Sequence, residues 1–85
     1  LIDELYYEEM VELPIKDGRQ HYYAMKYYYD LFERLEEDLF NTLEPLANDE
    51  RYQVIFIGHS IGGAVASLAS FYYKKKYNRW RLFIL

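Results

Sequence analysis

The residues best suited to chemistry are the run Gly58-His59-Ser60-Ile61-Gly62. They fit the pattern G-x-S-x-G, in which a sharp strand-to-helix turn lifts a serine hydroxyl above the end of a sheet. A hydroxyl held there can attack an acyl carbon, provided that a base takes its proton. The glycines have a steric reason. A serine in so tight a turn crowds positions two residues away on both sides, so Gly58 and Gly62 are expected to be places where a bulky side chain does not fit. The turn also sets Ser60 at a helix N-terminus, where unpaired N–H groups favour negative charge. The Ile61 amide is then the expected donor to a developing oxyanion. His59 neighbours Ser60 on a strand-like backbone, should point to the opposite face, and is read as packing behind the turn.

Three fixed positions recur by chance, so the pattern needs the right elements around it. Before it, Tyr52 to Ile57 contains the continuous apolar run Val-Ile-Phe-Ile, which suits a strand buried on both faces of a parallel sheet. After it, a helix is expected from about Ile61 to Lys76. Gly62, Gly63, Ala64, Ala66 and Ala69 permit close approach to the sheet, and Val65, Leu68 and Tyr72 supply bulk. Trp80 to Leu85 reads as a further strand. Upstream, apolar residues recur at Met25, Tyr28, Phe32, Leu35, Leu39, Leu43 and Leu46, which predicts a long amphipathic helix from about His21 to Leu46. Asp30–Arg34 and Arg34–Asp38 could pair along its wet face. Pro14 to Gly18 carries turn chemistry. Tyr6 to Leu13 reads as a weak strand stopped by Pro14, and Leu1 to Leu5 as the end of a helix.

Two other readings of the serine turn compete. Ser60 could merely cap the helix, as serine commonly does. A phosphate loop is disfavoured because the run lacks both the Gly-Lys-Ser/Thr ending and the G-x-G-x-x-G spacing that such loops need.

Composition bounds the rest. With 85 residues the chain is one small unit with a modest core. Yet 52% of it is hydrophobic and 20% aromatic, including 11 Tyr, which excludes a disordered polar chain and calls for apolar partners. No run approaches the roughly 20 apolar residues of a membrane-spanning helix, and the opening residues are too acidic for a secretion signal. Without cysteine there is neither a disulfide nor a thiolate metal site, and localisation stays open. Residues 1–50 hold all 14 acidic side chains against four basic ones, and residues 51–85 hold six basic and no acidic ones, for a net charge of −4. The two halves should attract. Lys74, Lys75 and Lys76 fall where a helix should end, so they are read as offsetting its dipole and not as a nucleic-acid surface.

The string from Tyr52 through Gly58-His59-Ser60-Ile61-Gly62-Gly63-Ala64 resembles the nucleophile turn of class three lipases of the fungal triacylglycerol lipase type, usually GHSLGGA. The segment around His21 and the long helix after it resemble the same family's upstream architecture. Ile61 replaces the usual Leu, and Tyr23-Ala24 stands where Gly-Phe often follows the upstream His, so no function is carried onto His21. The resemblance implies a partial α/β-hydrolase fold, mainly of parallel strands, with a long helix before and a small-residue helix after the nucleophile strand. It implies hydrolysis of carboxylic esters, acylglycerols foremost, at a lipid–water interface, with no metal or organic cofactor.

In such hydrolases the triad follows the order Ser, Asp or Glu, His. After Ser60 the sequence has neither an acid nor a histidine. The 85 residues are therefore expected to be one fragment of a hydrolase domain, inactive by itself, with the oxyanion strand and the catalytic Asp and His elsewhere in a longer enzyme. Unpaired sheet edges would make such a fragment self-associate. Two further functions are compatible with the sequence. One is a thioesterase or acyltransferase on the same fold. The other is a non-catalytic binding module, suggested by the tyrosines at 22, 23, 27, 28 and 29, which are read here as covering the missing sheet.

Overall fold

A computed structural model describes residues 9–77 and 80–85. The helix end at Leu1–Leu5 and the first residues of the Tyr6–Leu13 strand lie outside the described residues.

The chain opens on a short antiparallel hairpin. Strand β1, Met10–Glu12, pairs with β2, Tyr23–Met25, in the register Met10↔Met25, Val11↔Ala24 and Glu12↔Tyr23. Pro14 follows β1, and Gly18 takes the positive φ of 59° that the loop requires. The expected turn at Pro14–Gly18 is therefore present, with Asp17 and Gln20 closing it as an isolated bridge.

Helix α1 runs from Lys26–Ala47, so it begins about five residues later than expected. The reason lies in Tyr22, Tyr23 and Ala24. The period-three pattern can be extended back through them, but the backbone of Leu13 claims the Tyr22 carbonyl at 2.7 Å and the ladder with β1 claims the rest. Strand pairing overrides the helical pattern there. β2 runs directly into α1 without a capping side chain, and the Lys26 amide donates to the Glu9 carbonyl at 2.7 Å, which satisfies one of the orphan donors at the helix start. Asp30 pairs with Lys26 one turn back at 2.7 Å. No ion pair joins Arg34 to Asp30 or Asp38 among the described residues. The buried stripe is also rotated from the expected one. Phe32 is fully buried, and Tyr28, Tyr29, Leu39, Phe40, Leu43 and Ala47 pack beside it, whereas Leu35 is exposed.

Strand β3, Val54–Gly58, and strand β4, Trp80–Ile84, pair in parallel with Phe56 opposite Leu82 and Gly58 opposite Ile84. Between them runs helix α2, Ile61–Lys74, which ends two residues before the expected point. Parallel strands need such a crossover, and α2 lies on the sheet while α1 lies against α2. The thinnest dimension, 20 Å, fits one sheet layer and one helical layer, each about 10 Å thick.

Two expectations about the strands fail. The described strands do not form one mainly parallel sheet, because β1 and β2 make a separate antiparallel pair. Nor is β3 covered on both faces: Phe56 faces α2 and is buried, whereas Ile55 and Ile57 on the other face are exposed, as is Phe83 beside Ile57. A continuous apolar run carries no information about how many layers cover it.

The core is aromatic. Tyr73 is buried and centres it, 5.4 Å edge-on from Phe56, 6.4 Å in a stack with Phe40 and 4.8 Å from Tyr77. Tyr73, on α2, thus joins β3, α1 and the segment that follows α2. Phe32 meets Tyr72 at 4.8 Å, and Tyr22 meets Phe71 at 4.8 Å, which fastens the hairpin loop to α2. Tyr22, Tyr28 and Tyr29 therefore pack on this helical core and not on the open sheet face. The Tyr72 hydroxyl is buried without a hydrogen-bond partner among the described residues. Burial first, and then the nearby Tyr29 phenol, raise its pKa far above the ordinary phenol value.

Candidate active site at the turn between β3 and α2

Gly58 ends β3, Ile61 opens α2, and His59 and Ser60 make the whole connection. Ser60 has φ 56° and ψ −122°, the sole non-glycine residue with positive φ among the described residues. Such a conformation costs roughly 1–3 kcal/mol for a side-chain-bearing residue and persists only where surrounding structure enforces it. The backbone bonds that enforce it are local. Gly62 N–H donates to the His59 carbonyl at 3.0 Å, and Gly63 and Ala64 N–H both donate to the Ser60 carbonyl, at 2.9 and 3.2 Å. The Ser60 carbonyl thus starts the helix.

Ser60 stands at the N-cap position, yet its side chain makes no cap hydrogen bond. The simple capping reading therefore fails: the hydroxyl is exposed and uncommitted to the helix. Ile61 is the first helical residue, one of the positions whose N–H finds no acceptor within a helix. An exposed serine beside a first-turn amide at a helix N-terminus is an arrangement suited to a nucleophile with an oxyanion donor next to it.

The glycines divide differently from expectation. A Cβ on Gly58 would lie 2.2 Å from the Gly62 carbonyl oxygen and 2.6 Å from the Gly63 nitrogen, so no side chain fits there. A Cβ on Gly62 would meet nothing within 4 Å. The second tight position is Gly63, where a Cβ would lie 3.0 Å from Ile84 Cγ2 and 3.4 Å from the Gly58 carbonyl oxygen. Crowding is thus set by the return of the helix over the strand end, and the partner residue comes from β4. The doublet Gly62-Gly63 was the available signal, but which of the two is confined depends on a strand 20 residues away in sequence and so is not visible locally.

His59 is exposed and does not pack behind the turn, because the sheet face on that side carries no covering layer among the described residues. His21 lies in the hairpin, where its Nδ1–H donates to Glu12 Oε1 at 2.8 Å. Two clefts among the described residues lie away from Ser60. One, of about 430 Å³, lies between the helices at Glu36, Phe40, Tyr72 and Lys76. The other, of about 320 Å³, lies between the hairpin and α2 at Leu13, Tyr22, Leu68 and Phe71. A strained backbone and a side chain that caps nothing mark the site. No helix among the described residues is long and apolar enough to cross a membrane.

The fold and turn define a class: a serine at the junction of a parallel strand and a helix, within an α/β-hydrolase-like arrangement of helices and small sheets. Comparison with protein families is more specific, since residues 5–83 match the family described as Lipase (class 3). The chain belongs to the class 3 lipase family. No curated protein and no solved structure matches it. Membership suggests ester hydrolase activity and implies a lipid ester as the substrate class.

Proposed function

We propose that this chain carries the nucleophile of a serine lipase, Ser60, and that acylglycerols are its substrates, as in the fungal triacylglycerol type. The observation that supports this most is the positive φ of Ser60 in a two-residue connection, with a side chain that caps nothing. Backbone strain without a structural use is a reason to look for a chemical one.

In the proposed reaction a histidine takes the Ser60 proton as Oγ attacks the ester carbonyl carbon. The carbonyl π electrons move to oxygen, and the resulting oxyanion accepts a hydrogen bond from the Ile61 amide. Collapse of the intermediate expels the alcohol, which takes the proton from the histidine and leaves an acyl-serine. Water then attacks the acyl carbon with the same histidine as base, and the histidine returns the proton to Ser60 Oγ as the fatty acid leaves. Gly58 and Gly63 supply only the room for this turn. His59 and His21 have no part in this scheme, one being the residue adjacent to the nucleophile and the other engaged by Glu12. We assign the base and its orienting acid to residues outside these 85, since no Asp, Glu or His follows Ser60. The chain is accordingly proposed to be the nucleophile-bearing part of a larger hydrolase domain.

The test uses the protein at its natural length, treated with a serine-directed phosphonate and digested for mass spectrometry. The label is expected on Ser60, and Ser60→Ala is expected to lower kcat toward a short-chain ester by about 10⁴-fold or more. A label on another serine, or an S60A enzyme that keeps its activity, rules the assignment out.

A further inference from the structure

We infer that Ile84 is a positioning residue for the serine turn, acting through Gly63; the inference rests on the reading of Ser60 as nucleophile. Two contacts connect the end of β4 with the turn. The Leu85 amide donates to the Gly58 carbonyl at 2.9 Å, one step beyond the β3–β4 ladder, which fixes the residue entering the turn. The Ile84 Cγ2 methyl lies against Gly63, 3.0 Å from where a Cβ would stand, and so sets how closely the first turn of α2 can approach the sheet. Gly63 in turn donates to the Ser60 carbonyl at 2.9 Å. The chain of contact is therefore one methyl, one Cα and one hydrogen bond long, and it ends on the residue with the strained φ. Ile84 is exposed, with a relative accessibility of 59%, so its contribution to the core is small and a change there is not expected to unfold the protein.

The branch at Cβ is the part that matters, which gives a discriminating set of substitutions. Ile84→Val keeps Cγ2, whereas Ile84→Leu keeps the volume but has no methyl in that place. In the natural-length enzyme, I84V is expected to retain the wild-type kcat, while I84L lowers kcat about three- to tenfold with KM unchanged, as a slightly displaced nucleophile would. Gly63→Ala is expected to reduce kcat by more in the wild-type background than in the I84L background, because the methyl that it strikes is gone in the latter. Rates are taken per folded molecule, with the folded fraction set by circular dichroism, and I84M repeats the deletion of the branch with a straight side chain. A residue of merely structural importance would change the folded fraction and leave kcat per folded molecule and the Gly63 coupling alone. Equal kcat for I84L and wild type, or an equal G63A penalty in both backgrounds, overturns the inference. The S60A control separates the two ideas: if S60A is inactive and I84L is normal, only the role of Ile84 falls, and if S60A remains active, the nucleophile assignment and this inference fall together.

Discussion

Lys75 and Asp17 are 58 positions apart in the chain and meet at 3.1 Å, joining the basic end of α2 to the loop of the acidic hairpin. The same carboxylate accepts from the Tyr22 hydroxyl at 2.6 Å, and the Lys75 ammonium sits 5.3 Å from the ring centres of both Tyr22 and Phe71. The attraction expected between the two halves of the sequence is thus realised in this pair. Lys76 lies over the Phe40 ring at 5.7 Å, so the lysines after α2 hold aromatic faces as well as the helix dipole.

This cluster makes stability depend on pH at both ends of the range. The Tyr22 hydroxyl first, and then Lys75, hold the Asp17 carboxyl below its usual range. With the folded pKa lower than the unfolded one, the stabilisation is present above the unfolded value and is lost as pH falls through the folded value. Tyr22 is the reverse: its bond to Asp17 raises the phenol pKa, so its contribution is present at neutral pH and is lost as pH rises through that raised value. Denaturant unfolding of wild type and Asp17→Asn should differ at neutral pH and converge in acid. A difference that stays constant through the carboxylate titration range is incompatible with this account.

The two glycines of the G-x-S-x-G pattern should respond oppositely to the same substitution. Gly58→Ala forces a methyl into the Gly62 carbonyl and is expected to cost about 3 kcal/mol, the upper range for overpacking against atoms that cannot yield. Gly62→Ala points a methyl into open space near the start of α2, so it should be neutral or stabilise by about 0.5–1 kcal/mol through helix propensity. Unfolding midpoints of the two variants decide this, and equal destabilisation would mean that both positions are confined.

Function and stability should conflict at Ser60. Both Ser60→Ala and Ser60→Gly remove the hydroxyl, but only glycine adopts a positive φ without steric cost. S60G is expected to exceed S60A in unfolding free energy by about 1 kcal/mol, the lower end of the strain expected for such a residue. Identical stabilities for the two would show that the turn relaxes when the hydroxyl is absent.

What could be read from the sequence was local. The strand, turn and helix around Ser60 follow from the residues next to it in sequence, and their boundaries are found within two residues of expectation. The start of α1 was not legible, because Tyr22 and Tyr23 fit a helical stripe and a hairpin equally well, and the choice is made by Leu13 and β1 some ten residues earlier. The rotation of its buried face, with Phe40 in and Leu35 out, was equally hidden, since it depends on where Tyr72 and Tyr73 fall on α2. The exposure of Ile55 and Ile57 eluded a pattern-based reading for a related reason: hydrophobicity states what a side chain prefers and not which layers are supplied to it.

The placement of β4 has a consequence for synthesis. Both constraints on the serine turn that come from outside it, the Leu85 amide on Gly58 and the Ile84 methyl against Gly63, are made by residues translated some 25 positions after the serine itself. A nascent chain still lacking those residues has the local bonds of Gly62, Gly63 and Ala64 but not the two contacts from β4. The full set of contacts around the turn is thereby completed late, when the returning strand docks.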